Sequence, residues 1–297
     1  MLTILTPTYN RAYILPKLYE SLCRQTSKDF EWVVVDDGST DHTKALVGQW
    51  IANKFKLKYI YQENGGKHRA VNRGVREAQY DFCFIVDSDD FLTDDAVELV
   101  HEWLVSIAGD QSFAGVSGLR GYINGGIIGK YPKGKRVLNY IDATNLQRKK
   151  LRLDGDKAEI YRTELLRRFP FPCFEGEKFI SEAVVWDAIA ANGYKIRWFN
   201  RIIYKCEYVH DGISMNIRNI ILDNMQGYRH LTKLWIKCYG FPRRNAYIYD
   251  YVKMCKIKGI SYHEAAKNID VNKYRLYVSI IVGIGRNTRN KILRRGL

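Results

Sequence analysis

Over the first 120 residues, short apolar runs alternate with stretches in which apolar positions return every three or four. LTILT (2–6) precedes residues 13–25, where Ile14, Leu15, Leu18 and Leu22 share one helical face. EWVVV (31–35) precedes a helix after Asp41, with Ala45, Leu46 and Trp50 on one side. LKYIY (57–61) leads into a helix from about 67 to 78, and DFCFIV (81–86) into one from about 94 to 107. FAGVSG (113–118) reads as a fifth strand. This alternation predicts βαβ units, a mainly parallel sheet and right-handed crossovers. Strands that are apolar almost throughout suit burial on both faces.

The pattern breaks from 121 to about 160, where YINGGIIGKYPKGKRVLNYID is rich in Gly and Lys and reads as a hairpin plus an exposed loop. AEIYR (158–162) reads as a strand and TELLRRF (163–169) as a short helix ended by Pro170. Residues 179–192 follow as a helix and 195–204 as a strand, and beyond about 217 the chain is helical to its end. The expected domains are 1–216, itself in two parts, 1–120 and 121–216, and a helical region over 217–297.

Charge sharpens this division. The net charge of +15 is made of −4 over residues 1–120 (13 Lys+Arg, 17 Asp+Glu) and +19 over the rest. Residues 218–297 alone hold 17 basic and 4 acidic residues, a balance of +13. An acidic first part suits a carboxylate site for a cation, and a basic end suits an anionic surface. The six cysteines are scattered without a C-x-x-C pair, as expected of small buried hydrophobes in a reducing compartment. No basic stretch followed by a long apolar one opens the chain, and no 18-residue apolar run occurs, so the expected location is cytoplasmic.

In an open parallel sheet, ligands bind where loops converge at the carboxyl ends of the strands. Here those ends carry four polar clusters: Thr6-Pro7-Thr8-Tyr9-Asn10-Arg11, Asp36-Asp37-Gly38-Ser39-Thr40-Asp41, Asn64-Gly65-Gly66-Lys67-His68, and Asp87-Ser88-Asp89-Asp90. Two carboxylates at Asp87 and Asp89, directly after a buried strand, can face one point, and a hard cation such as Mg²⁺ or Mn²⁺ wants a few carboxylate oxygens beside phosphate and water. The alternative for these residues is helix capping. Asp36-Asp37 offers either a cap or an acceptor for a nucleobase N–H. Gly65-Gly66-Lys67 offers either a plain turn or a backbone approach to phosphate.

Taken in order, T-P-T-Y-N-R, V-V-V-D-D-G-S-T-D, N-G-G-K-x-x-A-x-N-x-G and I-V-D-S-D-D resemble the nucleotide-sugar domain of glycosyltransferase family 2. The resemblance covers about 1–120 closely and 155–215 more loosely, and the last 80 residues match nothing. It implies an α/β fold of GT-A type: a mainly parallel sheet with a Rossmann-like nucleotide-binding half, here with a helical C-terminal extension. It further implies a nucleotide-diphosphate sugar donor, foremost a UDP-sugar, a divalent Mn or Mg ion, and inversion at the anomeric carbon. Carried onto this chain, Pro7, Tyr9 and Arg11 line the nucleoside pocket, and Asp37 meets the base with Asp36 beside it. Lys67 and Asn72 lie near the donor. Asp87, next to Ser88, reaches the ribose or the metal, and Asp89 is the principal metal ligand.

The resemblance also implies an acidic general base on a downstream helix. Glu182 stands at the matching place, preceded by Ser181 where an acid is common. Asp187 competes, but five residues apart the two lie about 140° around a helix and cannot face one acceptor. His210, in Y-V-H-D-G-I-S, resembles a histidine that completes the metal site in many relatives. The implied chemistry is transfer to an acceptor hydroxyl in polysaccharide or glycolipid assembly, the cation neutralising the leaving diphosphate and Glu182 taking the acceptor proton.

Residues 274–297 join about ten apolar positions to Arg286, Arg289, Lys291, Arg294 and Arg295. This is too short to span a bilayer. It suits either a helix on an anionic membrane surface, which would place the protein on the inner face of the membrane beside a lipid-linked or other glycan acceptor, or a core-packed terminal helix. Two other classes compete. A sugar-nucleotide-forming nucleotidyltransferase should carry a Gly-rich, Arg-containing loop after the first strand, where Pro7-Thr8-Tyr9-Asn10 stands. A basic nucleic-acid-binding protein leaves the ordered carboxylates unexplained, so no nucleic acid is expected as a partner.

Overall fold

The computed structural model describes residues 1–50, 54–132, 139–206 and 217–295, with side chains as far as Arg286. The chain forms two compact units, Met1–Phe171 with Val185–Gly212, and Pro172–Val184 with Ile213–Leu297.

The first unit is built on one sheet. Strands β1 (Leu2–Thr8), β2 (Phe30–Asp36), β3 (Lys56–Tyr61) and β4 (Phe82–Ile85) lie parallel in the order β3-β2-β1-β4. They are joined by helices α1 (Leu15–Arg24), α2 (Thr43–Trp50) and α3 (Lys67–Glu77). Every residue of β1 and β2 is buried, as their unbroken apolar runs predict, whereas β3 stands at the edge and is partly exposed. The core gathers Leu2, Ile4, Leu15, Leu18, Leu22, Trp32, Val34, Phe84 and Val100. Trp32 is fully buried, and its indole N–H donates to Thr6 Oγ1 at 2.9 Å, so burial leaves no polar group stranded. Helix α3 lies unusually close to β1. A Cβ on Gly74 would fall 2.0 Å from Leu5 Cδ1, which explains a glycine in mid-helix.

After β4 the sheet becomes mixed. A short β5 (Phe91–Leu92) and helix α4 (Ala96–Val105) lead to β6 (Phe113–Tyr122), β7 (Tyr140–Ala143), β8 (Lys157–Arg162), helices α5 (Thr163–Arg168) and α6 (Ala183–Ala191), and β9 (Lys195–Cys206). Strand β8 runs antiparallel to both β4 and β6, and β9 runs parallel to β6. The expected hairpin after 121 is present as a tight turn, with Tyr122 N–H donating to Gly126 O at 2.8 Å. The strand at 140–143, within the expected exposed loop, pairs with β9 and buries Ala143.

The second unit holds α7 (Ile217–Asp223), α8 (Met225–Cys238), α9 (Arg243–Ile257), α10 (Tyr262–Asn268) and α11 (Lys273–Arg295) around Ile248, Tyr251, Val252, Cys255, Ala265, Ile269 and Leu276. Unlike the boundary expected at 216, this unit also takes in 172–184. Hydrogen bonds explain it: the buried Glu177 carboxylate accepts the N–H groups of Gln226 and Gly227 at 2.7 and 2.8 Å, at the start of α8. In return, Asn224 Oδ1 accepts from Lys178 and Phe179, both at 2.9 Å. With those amides taken, the helix expected from 179 begins at Ala183, behind Ser181. Among the described residues no helix is long and apolar enough to cross a membrane.

Candidate active site

The parallel register brings the carboxyl ends of β1, β2 and β3 level, with Thr8 opposite Asp36 and Asp36 opposite Tyr61. Pairing of β1 with β4 stops at Leu5 and Ile85, so the two strands part just before the polar clusters. Pro7 sits beyond that point and pairs only toward β2, where its missing N–H is harmless. Such a parting at a switch in strand order is where an open α/β sheet forms its crevice.

The first two loops are locked together. Asn10 adopts φ 51°, a left-handed conformation that asparagine tolerates. Its N–H donates to Ser39 Oγ at 2.8 Å, and its Oδ1 accepts from Thr40 N–H at 2.8 Å. Asp41 caps α2 through Thr43 and also accepts from Ala12 N–H at 3.0 Å. Tyr9 is 47% exposed, and Arg11 donates to Tyr13 Oη at 2.8 Å.

Asp36 and Asp37 are both buried, and both organise loops. Asp36 accepts from Ser39 N–H at 2.8 Å and from the Tyr59 hydroxyl at 2.6 Å. Asp37 accepts from Gln62 at 2.7 Å, Gly65 N–H at 3.0 Å, Gly66 N–H at 2.7 Å and Asn64 at 3.2 Å. Its carboxylate thus shapes the Gly65-Gly66 turn that presents Lys67. Gly66, at φ 99°, permits that turn. Both oxygens of Asp37, expected beside the base, receive donors from its own neighbourhood.

At the end of β4 the charges form one network. Lys67 Nζ lies 2.5 Å from Asp87 Oδ1, and Arg120, near the end of β6, lies 3.3 Å from Asp87 Oδ2 and 3.8 Å from Asp90 Oδ2. The Arg120 guanidinium stands 4.1 Å above the ring of Tyr204 on β9, and its Nε donates to Lys157 O at 2.9 Å. The Tyr204 hydroxyl accepts from Asp87 N–H at 2.9 Å and hydrogen-bonds the Asp90 carboxylate. Burial alone would raise the Asp87 carboxyl, but Lys67 and Arg120 outweigh it and hold it well below the usual range. Asp90 is pushed up to about 7 by burial and by the charge of Asp87. Ser88 is buried between them.

Asp89 differs from its neighbours. Burial followed by the charge of Asp87 pushes its carboxyl upward, against the weaker pull of Arg11 and Lys67. Such a carboxylate gains from a bound cation. Among the described residues no three His, Cys, Asp or Glu side chains converge into a metal cage.

The other expected residues make the following contacts. Asn72 clamps the backbone of Phe171, donating to its O at 2.8 Å and accepting its N–H at 2.9 Å, so it fastens α3 to the chain after α5. Asp187 is buried and accepts from Asn145 at 2.6 Å, a structural contact. Glu182 is half-buried on the 172–184 segment of the second unit. His210 lies outside the described residues. Arg120, Asp90 and Tyr204 went unrecognised in the sequence. One signal for Arg120 was there: it is the sole Lys or Arg between Arg76 and Lys130, in a stretch crowded with acids.

Comparison with known proteins agrees with this architecture. The profile of glycosyl transferase family 2 matches residues 3–169. A Campylobacter jejuni GalNAc(5)-diNAcBac-PP-undecaprenol β-1,3-glucosyltransferase is 26% identical over 242 residues, 78% of this chain and 73% of that protein. Streptococcus pneumoniae glycosyltransferase GlyA is 35% identical over 109 residues, covering 37% of this chain. The chain spans only 16% of GlyA, and 34% of GlyG from the same organism. Among solved structures, S. aureus TarS 1–349 in complex with UDP-GlcNAc superposes with a TM-score of 0.62 at 19% identity, covering 97% of this chain and 91% of that one. The Pyrobaculum calidifontis mannosyltransferase PcManGT, in complex with GDP-Man and Mn²⁺, gives 0.56 at 18%, covering 98% and 87%. The fold is thus of the GT-A type expected from the sequence. With more than half its length matched by the family profile, the chain belongs to glycosyl transferase family 2.

Proposed function

We propose that this protein is an inverting glycosyltransferase that moves a sugar from a nucleotide-diphosphate donor, foremost a UDP-sugar, to an acceptor hydroxyl during polysaccharide or glycolipid assembly. The observation that carries this reading is the Lys67–Asp87–Arg120 network with Asp89 beside it, at the parting of β1 and β4. The complexes of TarS with UDP-GlcNAc and of PcManGT with GDP-Man and Mn²⁺ support a donor and a metal of these classes. The name of the Campylobacter relative supports a lipid-linked glycan as acceptor. Family membership leaves the nucleotidyltransferase and nucleic-acid-binding alternatives without support.

In this reading Pro7, Tyr9 and Arg11 border the nucleoside, and Asp36 and Asp37 shape its wall and the turn that presents Lys67. Asn72 acts at one remove by seating α3. Asp89 would hold Mn²⁺ or Mg²⁺, with Asp87 and His210 as further ligand candidates and Ser88 beside the donor. A cation held there would supply Lewis-acid neutralisation of charge on the leaving diphosphate. Lys67 adds a second positive charge at the same place. Glu182 takes the proton of the acceptor hydroxyl as its oxygen attacks the anomeric carbon opposite the leaving group, which inverts that centre. In this reading the enzyme works at the cytoplasmic face of an anionic membrane, which the +13 balance over residues 218–297 supports. A screen of nucleotide-sugars for metal-dependent thermal stabilisation tests the donor class. A uniform lack of response across UDP-, GDP- and TDP-sugars would overturn it.

A further inference from the structure

Helix α11 has two faces of opposite character. One is fixed against α9: Leu276, Ser279 and Gly283 are buried, and a Cβ on Gly283 would fall 2.1 Å from the ring of Tyr249. Asn245 donates to Ser279 Oγ at 3.1 Å, and Arg286 pairs with Asp250 at 2.8 Å. The other face lies about 140° round the helix. There Tyr274, Tyr277, Ile281 and Ile284 recur at heptad-like spacing and are 79%, 57%, 70% and 53% exposed. A helix packed on one side ordinarily turns polar residues outward on the other. This one turns out a tyrosine and isoleucine stripe.

The charge around the stripe selects its occupant. No Asp or Glu follows Asp270, while seven basic residues do: Lys273, Arg275, Arg289, Lys291, Arg294 and Arg295, besides Arg286, which Asp250 already pairs. A second copy docked through the same stripe would bring two such basic segments together, which like-charge repulsion opposes. An anionic lipid surface meets both features at once. The headgroup layer neutralises the bases, the acyl boundary takes the isoleucines, and tyrosine suits the interface between them.

We infer that the Tyr274–Tyr277–Ile281–Ile284 face of α11 is a membrane-docking face that lies in the headgroup region of an anionic bilayer. This deepens the proposed membrane location and rests on it, but not on the glycosyl-transfer chemistry. Deleting 274–297 would strip Leu276 from the core of the second unit, so substitution at exposed positions is the sounder test. Full-length protein and the Tyr274→Gln/Tyr277→Gln/Ile281→Gln variant are sedimented with phosphatidylcholine vesicles, with and without phosphatidylglycerol. The wild type is expected to follow the phosphatidylglycerol vesicles only, and the variant to partition at least about 100-fold less, given the apolar surface removed. A Tyr274→Trp reporter should shift its emission to the blue with those vesicles alone. Equal binding by wild type and variant, no binding by either, or a dimer that the variant dissociates without change in vesicle binding would each overturn the inference. Transfer to a water-soluble acceptor, measured on the same variant, should be unchanged. Loss of membrane binding with transfer intact therefore separates this inference from the enzymatic reading.

Discussion

Replacing Arg120 with methionine keeps the length of the side chain and removes its charge and donors. The side chain is 14% accessible and serves Asp87, Asp90, the face of Tyr204 and the carbonyl of Lys157. A hydrogen bond to a charged group contributes about 1.5–3 kcal/mol. A desolvated cation–π contact contributes up to about 2 kcal/mol. Asp87 keeps Lys67, and Asp90 can remain protonated, so part of this loss is relieved. The expected net destabilisation is about 2–4 kcal/mol, somewhat below the roughly 3–5 kcal/mol usual for removing one partner of a buried pair, because of that relief. For a unit of this size that lowers its melting temperature by roughly 5–12 °C. The pH dependence adds a sign. Asp90, already raised to about 7, rises further without Arg120, so its ionised form is worse tolerated in the variant. At pH 5.5 Asp90 is protonated in both proteins, and this contribution is absent. The gap in melting temperature should therefore widen from pH 5.5 to pH 8.5, as followed by circular dichroism. A gap below about 2 °C throughout, or one that narrows as pH rises, would refute the network described here.

Glu182→Gln keeps the shape of the side chain and should cut transfer about 10²–10⁴-fold. Donor affinity should stay near normal in a titration with the nucleotide-sugar. Asp187→Asn should leave transfer largely intact; the reverse pattern in these two variants would reassign the base to Asp187. Gly74→Ala drives a methyl into Leu5 and should cost about 1–3 kcal/mol in urea unfolding, by overpacking. A neutral result there would mean that α3 can move away from β1 freely.

Much of this was legible along the chain because it depends on local patterning. The apolar runs of β1 and β2 and the periodic faces of α1 and α3 name their own structure, and the Asp, Gly and Asn clusters mark the ends of the strands. What escaped depends on partners distant in sequence. Asp37 could be placed at the strand end, yet nothing local shows that Gln62, Asn64, Gly65 and Gly66 saturate its carboxylate. Nothing near Asn72 in sequence shows that its side chain fastens to the backbone of Phe171, 99 residues away. The start of α6 was set too early because Asn224, far downstream, claims the amides of Lys178 and Phe179. Both faces of α11 are apolar in sequence, and only packing against α9 distinguishes the buried stripe from the exposed one.

The central claim, that Asp89 holds a divalent cation for a nucleotide-diphosphate sugar, is tested most directly by calorimetry. UDP-sugar is titrated into wild-type protein and Asp89→Asn, each with Mn²⁺ and with EDTA. The account predicts binding by the wild type that requires Mn²⁺, and weak binding by Asp89→Asn that is the same with or without the ion. Equal, metal-dependent binding by both proteins would contradict it.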